Sequence, residues 1–538
     1  MGLFKSMFSK SEEDESIKIA KEKFAAKEYS NSIGELNKII ETKADCTEAY
    51  YYRGAAEFEL REFDKAGKDF LKVNDLDAEY SINVDLYLGR IELNNNRLET
   101  ALKYFENYIR HNDRDADGFY YRGLVKSKMN KSDDAVADFD KALDLNTSLA
   151  EAYAMRGYEK TKQNDYKHAI LDLNRAVEIK PVLGMAHNYL GVVKILQQDY
   201  AAALPHLASA IEHDPILKEA YFNYAQAEYE LGEYAQALEK LAKAIELSPA
   251  YLDAYLLRAK TKIKIDDPDG AVQDYGKVIE LAPGNFHAYY ERGKLNKLLM
   301  DYDAAKKDFL KAYELNRKEE EIIFSLAALE IDLKNYDSAA NYLNILIDEN
   351  PKHERALIKR GIIKHLNKKY SDACRDFSTV ITANPNNAEA YLHRGDSKIE
   401  LNDSLGAISD YSKALINPDY LDAYVNRGKL KLRMQDFNSA SHDFTKAISL
   451  SPNNPNNYFY RATAFKNMGN LQEAHADLDK SISINPKFAQ AYFLRGFVNY
   501  SLRYYKQSVA DCEKAISLNG IFKDKLEPLL KEAKSRIS

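Results

Sequence analysis

The chain has 538 residues, of which 45% are hydrophobic and 30% are charged, a balance typical of a folded protein. Its net charge of −7 argues against a general nucleic-acid binder, which needs a basic surface. Its three cysteines lie far apart, so they indicate neither a disulfide framework nor a metal site and favour a reducing cytoplasm. The sequence contains no apolar run long enough for a transmembrane helix and no signal-peptide pattern.

The N-terminus, "MGLFKSMFSK", is predicted to be a tail covering residues 1–12. Its first six residues match the N-myristoylation motif, which makes Gly2 a lipidation candidate. A single acyl chain gives only marginal anchoring, and the alternative is an untethered tail.

From residue 13 onwards the chain repeats itself. Segments such as "AYYYRG", "AYLHRG" and "AYFLRG" each end in a small residue that recurs every 34 residues, with one step of 35 and one of 33. These small residues mark fifteen repeats and are Ala20, Gly54, Gly89, Gly123, Gly157, Gly191, Ala225, Ala259, Gly293, Ala327, Gly361, Gly395, Gly428, Ala462 and Gly496.

Each repeat has the pattern of a helical hairpin. Twelve residues after the mark comes Ala or Ser, and sixteen after it comes a large apolar residue such as Phe309. Apolar residues three and four apart predict two amphipathic helices, and small residues at fixed places allow them to pack closely. Pro follows the second helix in many repeats, as at Pro283, and ends it. Because one hairpin cannot bury its apolar face alone, we expect the hairpins to stack.

This period and spacing resemble the tetratricopeptide repeat (TPR), although Tyr replaces the Trp found early in the family's motif and the chain has no Trp. The resemblance implies an all-α solenoid, a right-handed superhelix of antiparallel helix pairs. We expect one continuous array over residues 13–522 and a C-terminal capping helix over 523–538, with Leu526, Leu529 and Leu530 facing inward.

An Arg and an Asp are either both present or both absent in each repeat. Arg precedes the mark in ten repeats, and in all ten an Asp follows sixteen residues later, as in Arg292 with Asp308 and Arg394 with Asp410. The five repeats without the Arg also lack the Asp. The pattern predicts a bidentate ion pair that joins the two helices of a hairpin. Repeats three, six, seven and ten, which lack it, are predicted to be softer joints.

The tripeptide Arg394-Gly395-Asp396 spells a cell-adhesion motif, but it falls inside a predicted helix. Because Arg394 already has a predicted partner in Asp410, we interpret the motif as structural.

The family resemblance implies that first helices line a concave groove that binds peptide or protein segments. Three residues before the mark, the repeats carry an aromatic or aliphatic ladder, whereas the position just after the mark varies. An apolar ladder beside a variable position suits segment recognition, and the alternative is that the ladder packs against the next helix. The groove candidates are Tyr120, Tyr158, Leu256, Lys260, Lys264, Tyr290, Lys294 and Lys297.

The four lysines in that set predict an acidic partner, and a merely solvated face is the alternative. The family's clamp for chaperone tails is disfavoured, because no repeat has Asn just after the mark. No catalytic or nucleotide-binding motif occurs. The sequence therefore predicts a cytoplasmic, non-catalytic scaffold or adaptor without a cofactor. A myristoylated membrane adaptor is the alternative, and an enzyme with an unrecognised site is a distant one. Self-association stays open.

Overall fold

The computed structural model describes residues 15–537, without the side chains of 78–83. The lipidation candidate Gly2 and the whole predicted tail, residues 1–12, lie outside the described residues. All regular structure between residues 15 and 537 is helical. The contacts between residues divide the chain into two units, Met1–Pro283 and Gly284–Ser538.

The first unit consists of helix pairs. Helix α1 covers 15–25 of the described residues. The helices that follow are α2 (Tyr29–Thr42), α3 (Thr47–Glu59), α4 (Phe63–Leu76), α5 (Ala78–Asn94), α6 (Leu98–His111), α7 (Ala116–Lys128), α8 (Ser132–Leu145), α9 (Ala150–Lys162), α10 (Tyr166–Ile179), α11 (Gly184–Leu196), α12 (Tyr200–His213), α13 (Lys218–Glu230), α14 (Tyr234–Leu247), α15 (Leu252–Lys264) and α16 (Pro268–Leu281).

The second unit repeats the same plan. Its helices are α17 (Phe286–Leu298), α18 (Tyr302–Leu315), α19 (Glu320–Asp332), α20 (Tyr336–Glu349), α21 (Glu354–Leu366), α22 (Tyr370–Ala383), α23 (Ala388–Glu400), α24 (Ser404–Ala414), α25 (Leu421–Arg433), α26 (Phe437–Leu450), α27 (Pro455–Met468), α28 (Leu471–Ile484), α29 (Ala489–Ser501), α30 (Tyr505–Leu518) and α31 (Lys523–Ser535). A short 3₁₀ turn, Gly520–Phe522, precedes α31.

The core of each hairpin is the small residue of one helix against the large residue of the other. Phe309 is fully buried, and a Cβ placed on Gly293 would come within 2.7 Å of its ring. Because real Cβ atoms do not approach carbon that closely, glycine allows the two helices to meet at this point.

A tight turn joins the two helices of every repeat. The residue seven positions after each mark has a positive φ, and it is glycine only at Gly232 and Gly469. The other thirteen include Asn130, Asn402 and Met300, with φ values of 58°, 63° and 63°. These residues adopt the left-handed conformation that commonly ends a helix, and the next helix then begins two residues later.

Within each unit, most first helices touch the first helix of the next repeat. In the first unit these contacts run from one helix to the next in the order α3, α5, α7, α9, α11, α13 and α15, and in the second unit they join α17 to α19, α21 to α23, α25 to α27 and α27 to α29. Second helices of neighbouring repeats show no comparable contact in the described part of the chain. Because the more closely spaced layer lies on the inside of a curved stack, the first helices form the inner face of each unit.

Helix α31 lies against the last hairpin. Leu526 is fully buried beside Cys512 and Ala515, and Leu529 and Leu530 pack against the same cluster. Pro528 is the sixth residue of this helix.

Candidate binding groove

A cavity opens on the inner face of the second unit, where the first helices of repeats nine, ten and eleven lie side by side. Its volume is about 530 Å³, and its walls come from α17, α19 and α21. This volume lies in the range of about 300–1,000 Å³ that ligand pockets occupy.

The floor of the cavity is apolar. Phe309 and Leu343 close it from behind, and Phe324, Ile331 and Ile362 line its sides. Phe324, Ile331 and Ile362 are half-buried, so their apolar surfaces remain accessible from the groove.

Repeat ten carries alanine at two successive positions of the cavity lining. Ala327 is the mark of this repeat, and Ala328 occupies the variable groove position just after it. At the same register the flanking repeats have Lys294 and Ile362, whose longer side chains fill space that Ala328 leaves empty.

The rim of the cavity is charged. Arg355 lies over the ring of Phe324, at 4.3 Å from its centroid, and its Nη1 atom is 2.6 Å from Glu321. The hydrogen bond from Arg355 lowers the pKa of Glu321. Lys297 similarly pairs with Asp332 at 2.8 Å. Both carboxylates of the cavity lining are therefore neutralised by cations of the same lining.

Two further lysines complete the lining. Lys294 pairs with Glu291 at 2.7 Å on its own helix and lies 4.9 Å from the centroid of the Tyr290 ring. Lys359, on the opposite side of the cavity, is 3.7 Å from Glu389. Both pairs are about half-exposed, so each holds its ammonium group only weakly.

The structure brings together only part of the predicted groove set. Lys294 and Lys297 line the cavity and Tyr290 lies beside them, whereas Leu256, Lys260 and Lys264 belong to the first unit. Lys260 and Lys264 are solvent-exposed there, and Leu256 is half-buried.

The two tyrosines predicted in the first unit are engaged by neighbouring side chains. Tyr158 stacks on Tyr189 of the next repeat, with 4.7 Å between ring centroids. Tyr120 packs against Phe139 and Tyr121, and burial raises its pKa. Tyr120, a ladder residue, and Tyr158, at the variable position, therefore both pack against side chains of neighbouring helices.

Sequence reasoning missed several lining residues. Phe324 belonged to the predicted ladder, but Glu321, Arg355 and Lys359 were not among the candidates. Ala328 is a small residue where neighbouring repeats carry large ones, but this signal alone does not locate a cavity, because Ala55 shows the same pattern and is fully buried.

Comparison with known families agrees with the repeat geometry. Models of the tetratricopeptide repeat match residues 150–182, 190–251, 252–285, 286–319, 421–454, 444–476 and 489–521. The chain is a tetratricopeptide repeat protein. This confirms the family and the all-α solenoid class that the sequence predicted.

Solved TPR structures are similar to this chain. YrrB, described as a TPR protein with an unusual peptide-binding site, is 27% identical over 34% of this chain and 95% of its own, with a TM-score of 0.28. Yeast Tom70 is 16% identical over 77% of this chain and 99% of its own, with a TM-score of 0.33. A chain of the APC/C hetero-tetramer Cut9–Hcn1 is 14% identical over 92% of this chain and 98% of its own, with a TM-score of 0.35. No curated protein matches the chain.

The ten Arg–Asp pairs of this TPR protein have one geometry. In each pair Arg Nε donates to Asp Oδ2 at 2.7–3.0 Å and Arg Nη2 donates to Asp Oδ1 at 2.6–2.8 Å. The Asp residues are only 2–6% exposed. Each pair therefore joins the two helices of its repeat through a buried, bidentate contact.

A third donor, unnoticed in the sequence, completes most of these pairs. Four residues after the Arg stands a Lys in six of these repeats, and it reaches the same Asp at 2.7–2.9 Å. Asn296 and Asn499 take its place in two others and donate to Asp308 and Asp511. The buried carboxylate is thus held by both charge and hydrogen bonds.

The adhesion-like tripeptide lies within α23. Arg394 is bonded to Asp410, and its Nη1 atom also donates to Ser378 of the preceding repeat at 3.0 Å. Asp396 accepts hydrogen bonds from the Tyr411 hydroxyl at 2.8 Å and from Asn426 at 3.1 Å. All charged groups of the tripeptide are therefore engaged within the fold.

Two TPR repeats of the first unit contain buried carboxyl groups with altered acidity. Burial, followed by the negative charge of Asp69, raises the pKa of Glu57 to about 7. Burial also raises the pKa of Glu228 to about 7, and the nearby Lys240 opposes this effect. One oxygen of each carboxyl group is buried without a hydrogen-bond partner.

Across residues 15–537, no helix is long and apolar enough to cross a membrane. Within the same range, no group of three or more His, Cys, Asp or Glu side chains is placed to hold a metal ion.

Proposed function

We propose that the chain is a non-catalytic scaffold that binds protein or peptide segments on the inner face of its TPR repeats. The observation that carries this proposal is the cavity between α17, α19 and α21, which combines an apolar floor with a charged rim. Accessible apolar surface surrounded by charged groups is characteristic of sites that bind another chain.

The cavity is better suited to binding a partner's side chain than to catalysing a reaction. The charged groups of the lining are paired with one another or with adjacent side chains, and the floor offers only apolar contact. Packed helices on three sides fix this geometry before a partner arrives, which lowers the entropic cost of binding.

The test is a quantitative cross-linking pull-down from the source cell. Wild type is compared with Ala328→Phe, which fills the cavity, and with Thr463→Phe, which introduces the same residue at the same register in repeat fourteen. All three proteins must have equal thermal stability. We expect Ala328→Phe alone to lose a partner. Unchanged partners for Ala328→Phe would contradict a binding role for this part of the groove.

A further inference from the structure

The chemistry of the cavity indicates what kind of segment would occupy it. We propose that the groove at repeats nine to eleven takes a partner segment in which large apolar side chains are flanked on both sides by carboxylates. This inference rests on the proposed function and deepens it, because it specifies the partner's chemistry.

The apolar part of the segment follows from the floor. Phe309, Phe324 and Ile331 contribute rings and branched carbons, and the volume of about 530 Å³ is large enough for an aromatic side chain with an aliphatic neighbour. The guanidinium of Arg355 lies over the Phe324 ring and is paired with Glu321, so its charge is already neutralised at the rim.

The acidic part follows from the charge balance of the lining. The lining contains four cations, Lys294, Lys297, Arg355 and Lys359, and two carboxylates. Glu321 and Asp332 are paired with Arg355 and Lys297 inside the lining, whereas the carboxylates paired with Lys294 and Lys359 lie outside it.

The positions of these two lysines place the acidic groups of the partner segment on both sides of its apolar side chains. Lys294 is on α17 and Lys359 is on α21, so they lie on opposite sides of the cavity, with α19 between them. Their present partners, Glu291 and Glu389, are surface carboxylates in exposed pairs. Exposed pairs of this kind are weak, so a partner's carboxylate can replace either one at little cost.

The experiment uses the full chain and synthetic peptides measured by isothermal titration. The probe is acetyl-EDFLFDE-amide. Its comparison peptides are acetyl-EDSASDE-amide, which lacks the anchor, acetyl-SNFLFNS-amide, which lacks the charge, and acetyl-KKFLFKK-amide, which reverses it.

The protein variants separate the two parts of the proposal. Ala328→Phe should weaken the probe's affinity by about 10-fold or more, and Thr463→Phe should not change it. The double variant Lys294→Ser/Lys359→Ser changes only surface side chains, so it should fold normally. It should weaken the probe by about 3- to 10-fold at low salt, and the difference should shrink at high salt.

The outcomes distinguish this inference from the proposed function. If the neutral or basic peptide binds as tightly as the probe and remains sensitive to Ala328→Phe, the acidic chemistry is wrong and the groove is still a binding site. If no peptide shows binding that Ala328→Phe weakens, this inference fails and the proposed groove fails with it.

Discussion

Removing the carboxylate of Asp410 tests whether the Arg–Asp pairs hold the repeats together. Asp410 is 2% exposed and accepts from Arg394 at 2.7 and 2.8 Å and from Lys398 at 2.8 Å. The hydrogen bonds that Arg394 donates to Asp410 also raise the pKa of Arg394. In the Asp410→Ala variant, two cations would remain close together without their shared anion.

The loss of stability expected for Asp410→Ala follows from the burial of the ion pair. Breaking a fully buried pair costs about 3–5 kcal/mol, and breaking an exposed one costs about 0–1 kcal/mol. The Arg394 and Lys398 side chains keep 16% and 23% of their surface exposed, so solvent relieves part of the penalty. We therefore expect a cost near the low end, about 3 kcal/mol.

Hydrogen exchange read by mass spectrometry is the appropriate assay, because a stack of repeats need not unfold in one step. Amides in α23 and α24 should exchange about 100-fold faster in Asp410→Ala than in wild type, since about 1.4 kcal/mol corresponds to a factor of ten. The control is Arg375→Ala, which breaks an exposed pair with Asp372 in the preceding helix and should change exchange less than about 5-fold.

A triple variant checks the mechanism. Arg394→Met, Lys398→Met and Asp410→Leu together remove all three charges while keeping apolar volume, so protection should largely return. If Asp410→Ala exchanges no faster than Arg375→Ala, or if the triple variant is as unprotected as the single one, the electrostatic account of the pair is wrong.

Two further predictions concern packing and pH. Gly293→Ala places a Cβ 2.7 Å from the Phe309 ring and should lower the free energy of unfolding by about 1–3 kcal/mol in denaturant titrations. The control Gly34→Ala, whose new Cβ would have nothing within 4 Å, should raise the free energy of unfolding by about 0.5–1 kcal/mol. Equal effects of the two substitutions would refute the close-packing argument. Since the pKa of Glu57 rises from 4.5 to about 7 on folding, its stabilisation is present below pH 4.5 and is lost as pH rises to about 7. Glu57→Gln should therefore be more stable than wild type at pH 8 and similar to it at pH 4.5, and a difference that does not vary with pH would contradict the burial of an ionisable carboxyl group.

The sequence predicted the fold because the same local pattern is repeated many times. Fifteen copies show which positions must be small and which must be large, and two positions that change together identify a contact such as Arg394 with Asp410. The third donor, as at Lys398, was available in the same comparison but was missed. Lysine is common on helix surfaces, and its recurrence four residues after Arg resembles ordinary helix solvation.

The turn between the two helices had a weaker signal. All fifteen turn residues adopt positive φ, but only Gly232 and Gly469 are glycine. Asn occupies the position in several other repeats, as at Asn130 and Asn402. Residues such as Met300 adopt the same conformation because the two packed helices fix the path of the chain between them, so tertiary packing overrides local preference.

The cavity could not be predicted by register alone, and the reason is geometric. Register tells which side chains face the groove, as it did for Tyr290, Lys294 and Phe324, but it does not tell how much space lies between three neighbouring helices. That space depends on which positions are underfilled. Tyr158 and Ala328 occupy the same register in their repeats, yet Tyr158 fills its site by stacking on Tyr189 and Ala328 leaves a cavity. A small residue at this position leaves a cavity only where neighbouring side chains do not cover it, since Ala55 has the same register and is fully buried, whereas Ala328 is half-buried and lines a cavity.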